Sequence, residues 1–316
     1  MTLQRARRFF AAGIFTGLFA VSANAADVRF PPGSRVGLAP PAGFSSSDTF
    51  RGFDDKTNNA AILILEMPQQ AYTDVSKAMT PEGLKKQGVI VEKKENITLK
   101  NGKAVFIVGR QESGGDKLRK WILIAEAPDL TAVVTALVPE TAKKIYSDAA
   151  VREALTSLDV RASVPISEQM SLLPFKLDNL ASLRAFRVEP NTIFLTDGPK
   201  DSVDAVEQPL LVVSAAPGGP SENGQRETFA RNLFAGVPGF KDIQVVSSDV
   251  IRLSGVQTYQ LMAEGKDAKT GADVKLVQWL RFGNGAFVRF LGIARNDTWS
   301  DAFPRFRTVR DSLTSP

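Results

Sequence analysis

Two stretches built on one plan, Ile90–Val108 and Gln244–Leu261, restrict the folds open to this chain. Each reads as an alternating polar and apolar segment, a short turn carrying Gly102 or Gly255, and a second alternating segment. That is the pattern of a β-hairpin with one buried face. Each follows a helix-like stretch and precedes a strand that carries a tryptophan, Trp121 or Trp279. The chain therefore reads as one unit of about 130 residues used twice. Placing Gly102 over Gly255 sets Phe106 over Tyr259 and Val108 over Leu261. A period of roughly 155 residues is too long for a solenoid, which leaves tandem duplication of a sheet-rich α+β domain.

The first residues read as an address rather than as part of the fold. Arg5, Arg7 and Arg8 precede the mostly apolar run Phe9–Val21, and Ala23-Asn24-Ala25 supplies small residues at the −3 and −1 positions of a signal-peptidase site. This predicts a signal peptide over residues 1–25, cut between Ala25 and Ala26. A bilayer-spanning helix needs about 18 or more apolar residues, and no later stretch approaches that. The mature chain is thus expected to lack a transmembrane helix and to reside in the periplasm or outside the cell.

The whole chain has 39 basic and 34 acidic residues; losing the three Arg of the signal leaves 36 against 34, a net +2. Such a balance does not suggest nucleic acid as a partner. With no Cys, the chain has no disulfides, no lipidated N-terminal Cys, no thiolate catalysis and no Cys-based zinc site. With no His, it lacks Ser-His-Asp devices, imidazole metal ligands and the side chain best placed for proton transfer near neutrality. The expectation is a protein that is not an enzyme and carries no cofactor. The alternatives are a small-ligand or cation carrier, and a His-independent hydrolase or lyase using carboxylates and Lys.

Taken in order, Ala60–Met67 suits a buried strand ending at Pro68. Tyr72–Gln87 is helical, with Thr80-Pro81 marking a fresh start or a kink. Lys120–Glu126 and Leu130–Val138 are strands, and Lys143–Leu158 is a closing helix. Asp159–Gln169 has no helical stripe and sets the boundary, giving a first domain over 26–160, a linker over 161–170 and a second domain over 171–316. In the second, Leu210–Ala216 before Pro217 mirrors the first buried strand, and Glu227–Gly236 is helical. Lys275–Phe282 and Ala286–Ile293 are strands. Asp301–Leu313 closes the unit, with Pro304 in its first turn.

This succession, with Pro41-Ala42-Gly43-Phe44, Asn101-Gly102 and the tails Ser157-Leu158 and Ser312-Leu313, resembles the PsbP-like/DcrB-like superfamily over nearly all of the mature chain, twice. The resemblance implies an antiparallel sheet packed with helices in each unit, an α/β/α sandwich. It also implies a non-catalytic binding or envelope-assembly role with a protein partner in the cell envelope. The chain departs from bacterial lipoproteins of this group by lacking Cys, and Asp178–Leu183 stands where a second Pro-Gly-Phe entry would be.

Few residue groups suggest chemistry. Asp197, Asp201, Asp204 and Glu207 gather four carboxylates, but their spacing is not that of a calcium loop and reads as a solvated turn. Asp54-Asp55 is a weaker pair of the same kind. Gly218-Gly219-Pro220 lacks the context of a phosphate loop, and Ser34 is not in a nucleophile elbow. Trp121 and Trp279 read as core aromatics. Trp279 and Arg281 share one strand face by alternation and form the candidate partner surface, with Arg289 and Arg295 nearby.

Overall fold

The computed structural model describes residues 27–113, 115–201, 206–283 and 285–314. The expected signal and its cut between Ala25 and Ala26 lie outside the described residues. The first half contains β1 (Val36–Gly37), β2 (Ser45–Ser46), β3 (Gly52–Asp55), β4 (Ala60–Pro68), α1 (Ala71–Ala78), α2 (Pro81–Lys85), β5 (Val89–Leu99), β6 (Gly102–Ser113), β7 (Asp116–Glu126), β8 (Leu130–Pro139), α3 (Asp148–Thr156) and β9 (Asp159–Val160). After α4 (Ile166–Met170), the second half contains β10 (Lys176–Leu177), β11 (Arg184–Glu189), β12 (Thr192–Thr196), β13 (Leu210–Pro217), α5 (Asn223–Ala235), β14 (Phe240–Leu253), β15 (Val256–Asp267), β16 (Asp273–Phe282), β17 (Ala286–Arg295), α6 (Trp299–Asp311) and β18 (Leu313–Thr314).

Two seven-stranded antiparallel sheets result, ordered β2-β3-β4-β8-β7-β6-β5 and β11-β12-β13-β17-β16-β15-β14. The order is the same in both, strand for strand, and the chain is an α+β protein with two similar sheet domains. Each half is also clasped at its ends, β1 against β9 and β10 against β18.

In the first domain, alternation sends Ala104, Phe106, Trp121, Leu123, Val134 and Ile62 toward α3, and Val105, Ile107, Ile122 and Ile124 toward α1 and α2. In the second, Trp279, Phe290 and Val213 face α6, whereas Tyr259, Leu261 and Leu276 face α5. The helices sit where the sequence signals place them. Thr80 starts α2 afresh, its Oγ1 accepting from the Gly83 N–H at 3.0 Å, with Pro81 in the first turn. α3 begins later than its apolar stripe suggests, because Ser147 caps it by accepting from the Ala150 N–H at 3.2 Å. α6 begins at Trp299, earlier than expected, so Pro304 lies inside the helix rather than in its first turn. The expected linker holds the short helix α4, and Asp159–Val160 is paired to the start of the first domain.

The hairpin register differs from the expected one. Leu99 pairs with Gly102, so the turn residues are Lys100-Asn101; Leu253 pairs with Val256, so there they are Ser254-Gly255. Gly102 therefore corresponds to Val256. The one-residue slip moves Tyr259 to the face opposite that of Phe106, as period-2 geometry requires. The two glycines answer different needs. Gly255 (φ 79°) turns the chain together with Ser254 (φ 48°), whereas a Cβ on Gly102 would come within 2.4 Å of the Glu126 carbonyl oxygen.

The Pro41–Phe44 entry packs on the approach to α3. The Phe44 ring meets Tyr146 edge-on at 5.0 Å. Gly43 sits at φ 95°, and a Cβ there would lie 2.8 Å from the Tyr146 hydroxyl. The corresponding stretch of the second domain turns without glycine, through Ala181 and Ser182 at φ 51° and 62°. Replacing Gly43 by Ala is expected to cost about 1–3 kcal/mol of stability, from strained backbone and the hydroxyl clash. Urea denaturation of G43A, Y146F and the double variant checks this. A double variant less destabilised than the sum of the singles identifies the clash.

Candidate functional site

The residues singled out in the sequence do not converge. Trp279 is fully buried, its indole Nε1 donating to Gln260 Oε1 at 2.7 Å, with Phe303 stacked on its ring. It cannot form part of an exposed partner surface, because α6 covers the face it occupies. Arg281 is half-buried, beside a cavity of about 380 Å³ that Phe175 and Phe287 also line. Arg289 points to the other face of the sheet. There it donates to Gln278 Oε1 at 2.8 Å and to the Leu233 carbonyl at 3.1 Å, tying the end of α5 to the sheet. Burial pushes its pKa below the usual guanidinium value. Arg295 is exposed and pairs with Asp297 at 3.3 Å. The three arginines thus form no common basic face.

The carboxylates separate as well. Asp197 pairs with Arg305, Asp201 with Arg184 and Glu207 with Lys200. Asp204 lies outside the described residues. Among the described residues, no group of three or more acidic side chains is placed to hold a metal ion.

Asp55 is the one member of these acidic pairs with a clear structural role. Its carboxylate accepts from the side chain of Asn58, from the Tyr146 hydroxyl, and from the backbone N–H of Thr57 and Asn58. The Asn58 side chain, then Tyr146, hold its pKa below the ordinary value. Burial, and then the Asp55 carboxylate, push Tyr146 up to about 12. Asp54, its neighbour, points to the opposite face. Its Oδ2 accepts from Ser47 Oγ at 3.0 Å, while its buried Oδ1 has no donor.

That opposite face contains the surface the sequence did not reveal. α1 and α2 cover the sheet over β5, β6 and β7 and reach Val133 of β8. Over β4 and β8 the same face is open: Leu63 is 37% exposed and Leu65 is 56% exposed, with Val133 and Leu137 half-buried beside them. Leu65 lies opposite Val133, and Ala61 lies between Leu137 and Asp54. The result is an open apolar strip. In the sequence AILILEM, both residue sets of β4 are apolar, so alternation cannot tell the open side from the buried one. The matching face of the second sheet is screened. Val237, Pro238 and Phe240, which follow α5, close over Phe194, Val212 and Leu291 and leave a cavity of about 280 Å³.

No protein-family model matches the sequence, and no curated protein is similar to it. Solved structures with a similar arrangement include LpqN of Mycobacterium tuberculosis, described as involved in cell envelope biogenesis. It is 16% identical, with 45% of this chain and 83% of that one covered and a TM-score of 0.36. The cyanobacterial PsbP (CyanoP) of Synechocystis is 14% identical, covering 44% of this chain and 95% of that one with a TM-score of 0.29. The immunity protein TplEi of the T6SS of Pseudomonas aeruginosa is 10% identical, covering 91% and 96% with a TM-score of 0.28. At these levels of identity and superposition the likeness says nothing about what this chain binds.

The Tyr146–Asp55 contact makes a pH signature. Tyr146 keeps its proton in the folded chain to about pH 12, whereas an unfolded tyrosine loses it near pH 10. Its stabilisation is therefore complete below about pH 10 and lost as the pH rises toward 12. Asp55 behaves oppositely: its folded pKa is depressed, so its contribution is present above the ordinary Asp value and lost as the pH falls through the folded one. Phenolate formation at Tyr146 is expected near pH 12. Ultraviolet titration of the folded chain beside Y146F checks this, because the variant loses the component near pH 12.

Proposed function

We propose that this chain is a non-catalytic binding protein of the cell envelope, exported by its first 25 residues and built from two PsbP-like domains that arose by tandem duplication. The identical strand order of the two sheets supports the duplication. A periplasmic or secreted location follows from the sequence of residues 1–25. No helix among the described residues is long and apolar enough to cross a membrane.

The observation that carries the binding role is the open strip of Leu63 and Leu65 on β4. A sheet face left open to water, where the second domain screens the same face, is a surface suited to another macromolecule. The fitting occupant is a protein that presents an apolar patch of its own. The described carboxylates with perturbed pKa values, Asp55, Glu95, Asp159, Glu168 and Asp267, are all held below their ordinary values. Donors that fix a carboxylate as an anion make it a structural anchor, whereas a general acid needs a raised pKa.

A photo-cross-linking residue placed at position 65 in cells that export the chain is expected to give one heterologous protein adduct. The same residue at position 145, exposed but away from the strip, is expected to give none. L63E should abolish the adduct. Adducts only between copies of this chain would assign the strip to self-association and overturn the proposal, as would equal labelling from both positions.

A further inference from the structure

We propose a second site, at the clasped end of the second sheet: a cavity beside Arg281 that takes a free aliphatic carboxylate. It goes beyond the protein-docking strip, which lies on the first domain, and does not depend on it.

The site is built on a cross-strand row. Ala215, Val288, Arg281 and Thr258 lie directly opposite one another on β13, β17, β16 and β15, two residues along from the row of Trp279. Directly opposite residues share a sheet face, so this row continues the face that α6 covers at Trp279. The first domain shows the same row filled. Two residues along from Trp121, its members are Ile64, Val134, Leu123 and Phe106, all buried in the core. Ala215 stands for Ile64 and Thr258 for Phe106, and with that bulk gone a cavity of about 380 Å³ lies between the sheet and Phe175 and Leu313 at the clasp.

The cavity is open to water. Ala215, Val256, Val288 and Leu313 on its walls are each half-buried, and Gly283 and Ala286, where β16 turns into β17, are exposed. Its volume falls at the lower end of the range for ligand pockets and has room for a chain of about eight carbons. The accessible walls are aliphatic, so an apolar body placed against them removes apolar surface from water on both sides.

Arg281 sets the charge of the ligand. Among the described residues that line the cavity it is the one charged side chain. It is half-buried, and its guanidinium makes no hydrogen bond or ion pair with a described residue. The other half-buried or buried arginines among the described residues each donate to a carboxylate, a carbonyl or a side-chain amide. The counterpart of Arg281 in the first domain is Leu123, so the sheet itself does not need a cation at this place. A guanidinium presents a planar fork that matches a carboxylate with two parallel hydrogen bonds. A carboxylate head on Arg281 and an aliphatic body against Ala215, Val256 and Leu313 would satisfy both halves of the site together. An amine would meet like charge, and an alcohol would leave the arginine unbalanced.

The test is a ¹⁵N titration of the full chain, read at the Arg281 Nε–H and the Val288 amide. The probes are octanoate, acetate as the head alone, and octanol and octylamine as the body without the carboxylate. Octanoate is expected to shift both signals saturably, with a dissociation constant on the order of 1 mM. The amide of Val134, the counterpart of Val288 in the first domain, is expected to stay in place. Acetate, the alcohol and the amine are each expected to bind about tenfold more weakly or not at all. Read at Val288, R281Q is expected to weaken octanoate binding about tenfold by removing the charge. A215I, which restores the isoleucine of the first domain, is expected to abolish binding while Arg281 is kept. Should A215I disturb the sheet, R281Q decides alone, because a glutamine is tolerated at a half-buried position open to water. No saturable shift with octanoate, an equal response to the alcohol or the amine, or undiminished binding by a folded variant overturns the proposal.

Discussion

The pairing of β4 with β8 determines the rest of each domain. These strands are neighbours in the sheet but far apart along the chain, and they join over eight residue pairs, from Ala61↔Leu137 to Pro68↔Leu130. To make that contact the chain must leave β4, cross to the far edge of the sheet, and return through β5, β6, β7 and β8. The crossing is made by α1 and α2, so those helices lie over the returning strands and nowhere else. The open apolar strip on β4 is thus a product of topology. In the second domain, the same path is taken by one helix of 13 residues and a trailing segment that closes over the gap.

The two faces of the first sheet are specialised in opposite ways. One face is packed under α3, with Trp121 and Phe106 in the buried cluster. The other is well packed under α1 and α2 and bare beside them. The second sheet shows how the same scaffold looks when the open face is filled in: Val237, Pro238 and Phe240 close over it.

Much of the fold was legible in the sequence, for reasons that are local. Alternation in Lys120–Glu126 and the cap at Thr80 each depend on a few adjacent residues and match the structure, whereas the helix stripes give the closing helices but miss the starts of α3 and α6. What was not legible depended on distant neighbours. Gly102 looks like a turn glycine, but it is required by the carbonyl of Glu126, and the hairpin register moved by one residue in consequence. Trp279 and Arg281 do alternate onto one face, yet nothing in the strand announces that α6 will bury the tryptophan. The apolar run Ala60–Met67 conceals its exposed side because both of its residue sets are apolar.

The small clasps have a consequence for how such a unit can be handled. In each domain the chain enters and leaves through adjacent residues, Val36 beside Val160 and Lys176 beside Thr314. A domain whose ends meet takes up almost no distance along the chain that carries it. It can be copied in series, spliced into a surface loop of another protein, or reopened at a turn and rejoined at the clasp, without stretching the host on either side.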